Sequence, residues 1–437
     1  MKKFICVFLT ALVLSTLAFS GCFTTNKVDV TVDNDYTQMT DEQWEEYKEI
    51  LEANGTTETS LQANMNYSLL CGVSILTRFE YSEKRHTYHM VYCGAGVIVE
   101  LDKDKGDAYV ITNCHVVYDD SSKEVISNDV RLYLYGQDTE GVNYTVSGKY
   151  VTYDIVDYSI SGDEKYRVPA TVVGASVTYD IALLKIKNSS VLKNSDARVA
   201  QFAESDEVYV GERVYAVGNP EGDGMSATVG FINKESEDIV LNLSELDEDY
   251  YGLYRVIRTD AAVNGGNSGG AMYNAKGEIV GIINSKNAEE DIDNMAYALP
   301  GSNVKRLWKV MKENYESGNS YFKASDPYVR VALFPAEYQI ISSSAHLNIA
   351  GSAEIVQTIA VSRSGANFYV GDVLKSIKIT DKSGNTVEDK QITRNYHIDD
   401  TLLSARDGYT VTFTITRGSE TQQISYTATL QRSYTRQ

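Results

Sequence analysis

The chain has 437 residues, 43% of them hydrophobic and 23% charged, the make-up of folded globular domains, which excludes a mostly disordered or fibrous protein. With 60 acidic against 40 basic residues the formal net charge is -20, and such a surface repels polyanions, so nucleic acid is excluded as a partner class. The length fits two or three domains of ~100 to 200 residues each, and 32 tyrosines beside only 5 prolines favour β structure.

The amino terminus reads as an address. Lys2 and Lys3 precede an apolar run from Phe4 to Phe19, shorter than the ~20 residues that cross a bilayer, so residues 1–21 are expected to be a secretory signal and not a permanent span. The run ends in Leu17-Ala18-Phe19-Ser20-Gly21-Cys22, which resembles the lipobox of bacterial lipoproteins, with Phe19 standing where those proteins usually have a smaller aliphatic residue. The resemblance implies cleavage before Cys22, a lipid on that cysteine, and attachment to the cell membrane on its extracytoplasmic side. No later apolar run reaches membrane length. Cleavage would also remove Cys6 and leave Cys71, Cys93 and Cys114 in a compartment that permits a disulfide. Neither Cys-x-x-Cys nor His-x-x-x-His occurs, so no metal and no cofactor is expected.

Residues 22–66 are polar and acidic and read as a tether, with one short helix from Asp41 to Ala53 that Thr40 could cap and Asn54-Gly55 would stop. From residue 67 to 318, short β-type runs alternate with turn residues. They are Leu69 to Phe79, His89 to Val99, Tyr109 to Thr112, Val130 to Tyr135, Ala170 to Val173, Asp180 to Ile186, Arg213 to Val217, Ala227 to Ile232, Leu253 to Arg258 and Glu278 to Ile283. That density predicts antiparallel barrels. Asn303 to Asn314 predicts a helix with Val304, Leu307, Trp308 and Met311 on one stripe and Asn303 as its cap. Asp326-Pro327 marks a boundary, and residues 327–437 carry strand-like runs again, enough for a second, smaller domain.

Three stretches carry chemistry. Asn264-Gly265-Gly266-Asn267-Ser268-Gly269-Gly270 allows a tight turn that exposes a hydroxyl and aims neighbouring amides at one spot. Thr112-Asn113-Cys114-His115-Val116-Val117 places a histidine just after a β run, and Asp180-Ile181-Ala182-Leu183-Leu184-Lys185-Ile186 places an aspartate at the head of another. A serine hydroxyl is nearly inert at neutral pH and needs a base to take its proton, and imidazole titrates near the working pH.

The order His115, Asp180, Ser268, and the words around each, resemble the HtrA/DegP branch of the trypsin-like serine proteases. The words Gly94 to Ile98, Val217 to Pro220, Thr228 to Ile232 and Ala296 to Pro300 match in type and order. The resemblance implies an all-β dominated fold: a trypsin-like double antiparallel β-barrel followed by a PDZ-like α+β domain. It implies a serine endopeptidase that acts on protein or peptide substrates in envelope quality control, with a homotrimer among the assemblies of relatives. By resemblance His115 is the base, Asp180 its orienting acid and Ser268 the nucleophile, with an oxyanion hole from Gly266 and Ser268 supported by Asn267. The primary pocket is expected to have Ala262 as floor and Ile282, Ile283 and Asn284 as wall, a site for small or medium apolar side chains.

Gly265 stands where the family commonly has proline. Either the turn is looser for it, or glycine is a tolerated variant. Disulfides of the family suggest Cys93 with Cys114; Cys71 with Cys93, or three free thiols, stay open. The acidic run Ala288 to Asn294 lacks the spacing of a calcium loop and reads as a solvated loop near the pocket. In the C-terminal region, Ser364 to Leu374 looks like a PDZ word, and Asp400 to Leu403 fits the helix beside a PDZ groove. The closing hairpin Tyr409 to Leu430 fits the last strands of that domain. A peptide-binding loop would then fall at Tyr328, Val329, Arg330 and Val331, without the usual glycine.

Overall fold

The computed structural model describes residues 58–83, 86–137, 142–147, 150–155, 167–242, 251–286, 295–318, 322–325, 327–347 and 352–432. The leader with Cys22, the helix expected at 41–53 and the acidic loop 288–294 lie outside them.

α1 (Glu58–Cys71) leads into β1 (Gly72–Glu83), β2 (His86–Asp102) and β3 (Asp107–Thr112). A single helical turn, α2 (Cys114–Val117), precedes β4 (Asp129–Leu134) and the hairpin of β5 (Val142–Ser147) and β6 (Tyr150–Ile155). β7 (Val168–Ser176) and β8 (Ile181–Ile186) complete a closed barrel in the order β1-β2-β3-β8-β7-β4. Strand alternation divides its side chains between two interiors. Along β8, Ala182, Leu184 and Ile186 fill the barrel, while Ile181 and Leu183 face a larger core between the barrels.

The chain continues through α3 (Ser190–Lys193), β9 (Gln201–Phe202), β10 (Arg213–Gly218), β11 (Ser226–Asn242) and β12 (Tyr251–Thr259). β13 (Ala271–Asn274), β14 (Glu278–Lys286) and β15 (Ala296–Pro300) follow. β13 pairs with both β10 and β14, so β13-β10-β11-β12-β15-β14 close into a second ring, to which β9 adds parallel to β14. The two antiparallel barrels expected from the sequence are thus present.

Two expectations are corrected here. Residues 58–66, assigned to the tether, and Leu69 to Cys71, assigned to a strand, form α1. Its apolar residues make no continuous stripe, and packing on the barrels holds it instead. Leu61, Leu69 and Cys71 enter the inter-barrel core, Ser68 Oγ lies 2.8 Å from Tyr215 Oη, and Asn64 Nδ2 donates to Ala275 O at 2.8 Å. The helix expected from Asn303 is α4 (Gly301–Glu316), which starts earlier, after Pro300, and has no side-chain cap. Asn303 lies inside its first turn and donates to Asp400 Oδ1 at 2.7 Å. The expected stripe of Val304, Leu307, Trp308 and Met311 is buried in the inter-barrel core.

Beyond α4, β16 (Arg330–Val331) pairs with β23 (Gln431–Arg432). β17 (Glu337–Leu347), β18 (Ala353–Arg363), β19 (Val373–Thr380), β20 (Thr386–Gln391), α5 (Tyr396–Leu402), β21 (Thr410–Arg417) and β22 (Glu420–Thr427) form an α+β unit. Its own core includes Ile359, Phe368, Leu374, Ile377, Ile398 and Phe413. Ion pairs join it to the second barrel and α4: Arg306 reaches Asp206 at 2.6 Å and Glu388 at 2.8 Å, Lys390 reaches Glu207 at 3.0 Å, and Arg255 pairs with Asp400.

The segment Tyr328 to Val331, expected as a peptide-binding loop, is used otherwise. Val329 and Val331 are buried in the inter-barrel core, Arg330 and Val331 pair with β23, and the Arg432 guanidinium sits 3.7 Å from the centre of the Tyr328 ring. With Val329 and Val331 in the core and Arg330 and Val331 in strand pairing, the second half of this segment is a paired strand and not an open loop. Among the described residues no helix is long and apolar enough to cross a membrane.

Candidate active site

His115 owes its exposure to its neighbours. In α2, Cys114, Val116 and Val117 are buried, so one helical turn leaves the imidazole facing outward with its side chain 48% exposed. Asn113, buried just before it, donates through Nδ2 to the Asp180 carbonyl at 2.9 Å.

Asp180 ends the β7–β8 turn with φ of 47°, a left-handed conformation that Asp tolerates better than most residues. Its carboxylate receives His115 twice, from the backbone amide at 2.9 Å and from ring Nδ1 at 2.8 Å. A third donor is Asn284 Nδ2 at 2.5 Å. The turn is itself held by the second barrel, where Tyr254 Oη donates to Val177 O at 2.7 Å, and by Val177 N donating to Pro327 O at 3.0 Å. Desolvation in the cleft lowers the His115 pKa, while the charge and hydrogen bond of Asp180 raise it. The carboxylate prevails, and the imidazole stands above its ordinary value.

Ser268 sits in two linked turns, with Asn267 N donating to Asn264 O at 3.1 Å and Gly270 N to Asn267 O at 3.0 Å. Its carbonyl accepts from Ala95 N of β2 at 2.8 Å, and its hydroxyl donates to Asn284 O of β14 at 2.9 Å. The structure therefore brings His115 and Asp180 into direct contact, and the Ser268 hydroxyl bonds to the Asn284 carbonyl instead of the imidazole. Asn284 touches both, through its side chain to Asp180 and through its backbone to Ser268.

Gly266 has φ of 91°, and an added Cβ would lie 2.1 Å from Asn219 O; only glycine fits. At Gly265 the only neighbour of an added Cβ is Glu221 Oε1 at 4.0 Å. The Gly265 carbonyl accepts from Glu221 N at 2.7 Å, and in a planar trans peptide this turns the Gly266 N–H to the opposite side. The amides of Gly266 and Ser268 donate to no acceptor among the described residues, which leaves two donors able to stabilise a developing oxyanion. Asn267 does not join them as expected: it is buried against Gly218 and its amide is occupied within the turn.

Gly265→Ala should raise stability by about 0.4 to 1 kcal/mol by restricting the unfolded chain, whereas Gly266→Ala should destabilise through its clash. Thermal unfolding of the two variants checks this, and equal losses would contradict the space seen at Gly265.

Two further expectations fail. Ile282 and Ile283 are fully buried in the inter-barrel and second-barrel cores, and Asn284 is committed to Asp180. Of the four residues expected to line the primary pocket, only Ala262 is exposed, its carbonyl accepting from Thr228 Oγ1 at 2.8 Å. Cys93 and Cys114 form no disulfide, nor does Cys71 with Cys93; all three are free thiols. Burial pushes the Cys93 thiol up to about 11, with the nearby Glu221 charge adding to the shift, so it is a poor nucleophile at neutral pH.

A cavity of about 510 Å³ does not include Ser268 in its lining. Tyr179, Arg255, Pro300, Leu333 and Asp400 line it, where the second barrel and α4 meet the C-terminal unit. No group of three His, Cys, Asp or Glu side chains that could hold a metal occurs among the described residues.

Residues 94–282 match the family model of the trypsin-like peptidase domain. The chain carries a trypsin-like peptidase domain. It is homologous to the HtrA/DegP serine proteases: it is 31% identical over 281 residues to Serine protease Do-like HtrA of Bacillus subtilis (strain 168), covering 64% of this chain and 49% of that protein. It is 34% identical over 220 residues to the probable periplasmic serine endoprotease DegP-like of Buchnera aphidicola subsp. Schizaphis graminum (strain Sg), covering 50% and 35%. With Serine protease Do-like HtrA of Lactococcus lactis subsp. cremoris (strain MG1363) the identity is 26% over 345 residues, covering 76% and 72%. The chain thus spans about half the length of the first relative and about a third of the second. Among solved structures, the HtrA-type protease AlgW with decapeptide is 19% identical with a TM-score of 0.48, over 85% of this chain and 98% of that one. The peptidase-domain match spans His115, Asp180, Ser268 and Ile282, and ends two residues before Asn284.

Sequence reasoning missed the supporting residues. Asn284 is expected in the pocket wall, and Asn113, Tyr254 and Glu221 carry no signal, since each acts on a partner 44 to 104 positions away.

Proposed function

We propose that this protein is an exported serine endopeptidase in which Ser268 is the nucleophile, His115 the general base and Asp180 its orienting acid. The observation that carries this is the double hydrogen bond of His115 to Asp180 beside a glycine-turned serine with two unoccupied amides.

In the proposed cycle the Ser268 hydroxyl leaves the Asn284 carbonyl and turns to His115, which takes its proton as Oγ attacks the scissile carbonyl. The amides of Gly266 and Ser268 receive the oxyanion. His115 then returns the proton to the departing amine as the C–N bond breaks, leaving an acyl-serine. Water, deprotonated by the same imidazole, hydrolyses that ester. Asp180 keeps the proton on Nδ1, so that the other ring nitrogen is the acceptor, and stabilises the imidazolium.

Substrates would be misfolded or exposed protein segments outside the cytoplasm, reached from a lipid anchor at Cys22. The residue before the cut would be small or medium and apolar, because Ala262 offers no carboxylate and Asp260 Oδ1 is taken up by the Phe231 amide at 2.6 Å. One observation favours a second reading, a binding protein without catalysis: the hydroxyl rests on Asn284 and not on His115. Labelling of the full chain by a fluorophosphonate probe separates the two, since a non-catalytic protein would stay unlabelled. Broad cutting of unfolded casein supports quality control; a single cut in an envelope extract would point to a regulatory protease instead.

The pH profile follows from the raised imidazole pKa. Protonated His115 cannot accept the serine proton, so kcat/KM should rise with pH through a midpoint above the ~6.5 of an ordinary histidine. A flat profile from about pH 5 to 8 would exclude a histidine base.

A further inference from the structure

Ser268 lies between two flanks. On one side its hydroxyl meets β14 at Asn284; on the other its carbonyl meets β2 at Ala95. His115 belongs to the β2 flank, because an added Cβ on Gly94 would lie 2.6 Å from Cγ1 of Val116, the residue next to the imidazole. The group that takes a proton from His115 on leaving is the amine of the residue after the cut. That residue must therefore cross the β2 flank, over Cys93 and Gly94, while the acyl part lies toward β14.

The same flank holds the short 3-10 turn Pro220–Gly222. An added Cβ on Gly222 would lie 3.1 Å from Cys93 Sγ, and Asn219 Nδ2 donates to Gly94 O at 3.2 Å, so the turn packs on β2. Glu221 sits at its centre, exposed, with φ of 55°, its amide clamping the Gly265 carbonyl at 2.7 Å. Many acids of this chain are paired with a base, as Asp372 is with Arg417 at 2.7 Å and Glu207 with Lys390 at 3.0 Å. Glu221 has no ion-pair partner among the described residues. Its carboxylate is held on the rim of the reaction centre by a strained backbone that also shapes the oxyanion turn.

We propose that Glu221 forms a subsite for a cationic side chain on the leaving-group side of the scissile bond, so that lysine or arginine at the first or second position after the cut is preferred. The inference rests on the protease reading above. A lysine there gains an opposite charge at the rim, whereas a glutamate meets a like charge beside the site where the oxyanion forms. Departure of the newly formed amine is not impeded, because a rim pair of this kind is weak and exchanges with water.

The test uses the full chain and a set of quenched fluorescent peptides that share one apolar residue before the cut and vary lysine, glutamine or glutamate at the two positions after it. Wild type should show kcat/KM roughly tenfold higher for lysine than for glutamate. Glu221→Gln, which keeps the backbone amide, should bring that ratio close to one, and Glu221→Lys should invert it. Raising the salt from about 0.05 to 0.5 M should shrink the wild-type ratio, as screening requires. Cleavage that is equally fast for all peptides, or a ratio unchanged in Glu221→Gln, overturns the subsite while the protease reading stands. Absence of both cleavage and fluorophosphonate labelling in wild type overturns the protease reading and the subsite with it.

Discussion

Ser268→Ala should abolish peptide hydrolysis and fluorophosphonate labelling, a loss of about 10⁶-fold in turnover, with unfolding free energy within about 0.5 kcal/mol of wild type. The fold is indifferent to the hydroxyl because the turn is held by backbone. The Ser268 carbonyl accepts from Ala95 N at 2.8 Å, and Gly269 N donates to Ile283 O at 2.9 Å. Only the bond from Oγ to Asn284 O is lost, a single neutral hydrogen bond of small net worth. Chemistry, by contrast, has no other nucleophile at this point: Cys93 and Cys114 are protonated at neutral pH, with Cys114 pushed well above its usual value by burial. Peptide hydrolysis and probe labelling read the chemistry, and thermal unfolding reads the fold. Full activity in the variant would refute the assignment of the nucleophile.

Asp180→Asn should cost about 10⁴-fold in turnover, the loss known for this exchange in the best-characterised triad of the kind. The structure supplies the reason. All three groups that face the carboxylate are donors: His115 N, His115 Nδ1 and Asn284 Nδ2. An amide in place of the carboxylate has one acceptor oxygen for them, and its NH₂ must face a donor. The cheapest relief is for the imidazole to move its proton to the other nitrogen, which removes the base from Ser268. The same change removes the charge that raises the His115 pKa, so the residual activity should titrate at a lower pH than in wild type. Turnover across a pH series measures both effects. A variant with wild-type turnover and an unshifted midpoint would mean that Asp180 does not orient the base.

The reactive residues were legible because each is announced by its own few neighbours. A histidine flanked by buried Cys114, Val116 and Val117 must face outward from a single helical turn. A serine among glycines reads as an exposed turn because Gly266 and Gly269 adopt φ near 90°. Barrel strands were legible for a similar reason, since alternation and turn residues are local. Two packed barrels and a smaller α+β unit follow from the number and spacing of those strands, together with the resemblance to a known family.

What the tertiary structure alone decided lies between distant segments. Asn284 serves Asp180, 104 positions away, and turns from pocket wall to orienting group because β14 curls under the β7–β8 turn. Tyr254 of the second barrel steadies the turn that carries Asp180 of the first. Ile282 and Ile283 read as pocket residues from the family resemblance, yet packing of the barrels buries both. α1 has no apolar stripe to announce it and becomes a helix by docking on Tyr215 and Ala275. Tyr328 to Val331 could pass for a loop until β23 paired with it. A local pattern records the conformation of its own backbone and the side from which water is excluded. It holds no record of which remote surface does the excluding, and that partner determined the role of each of these residues.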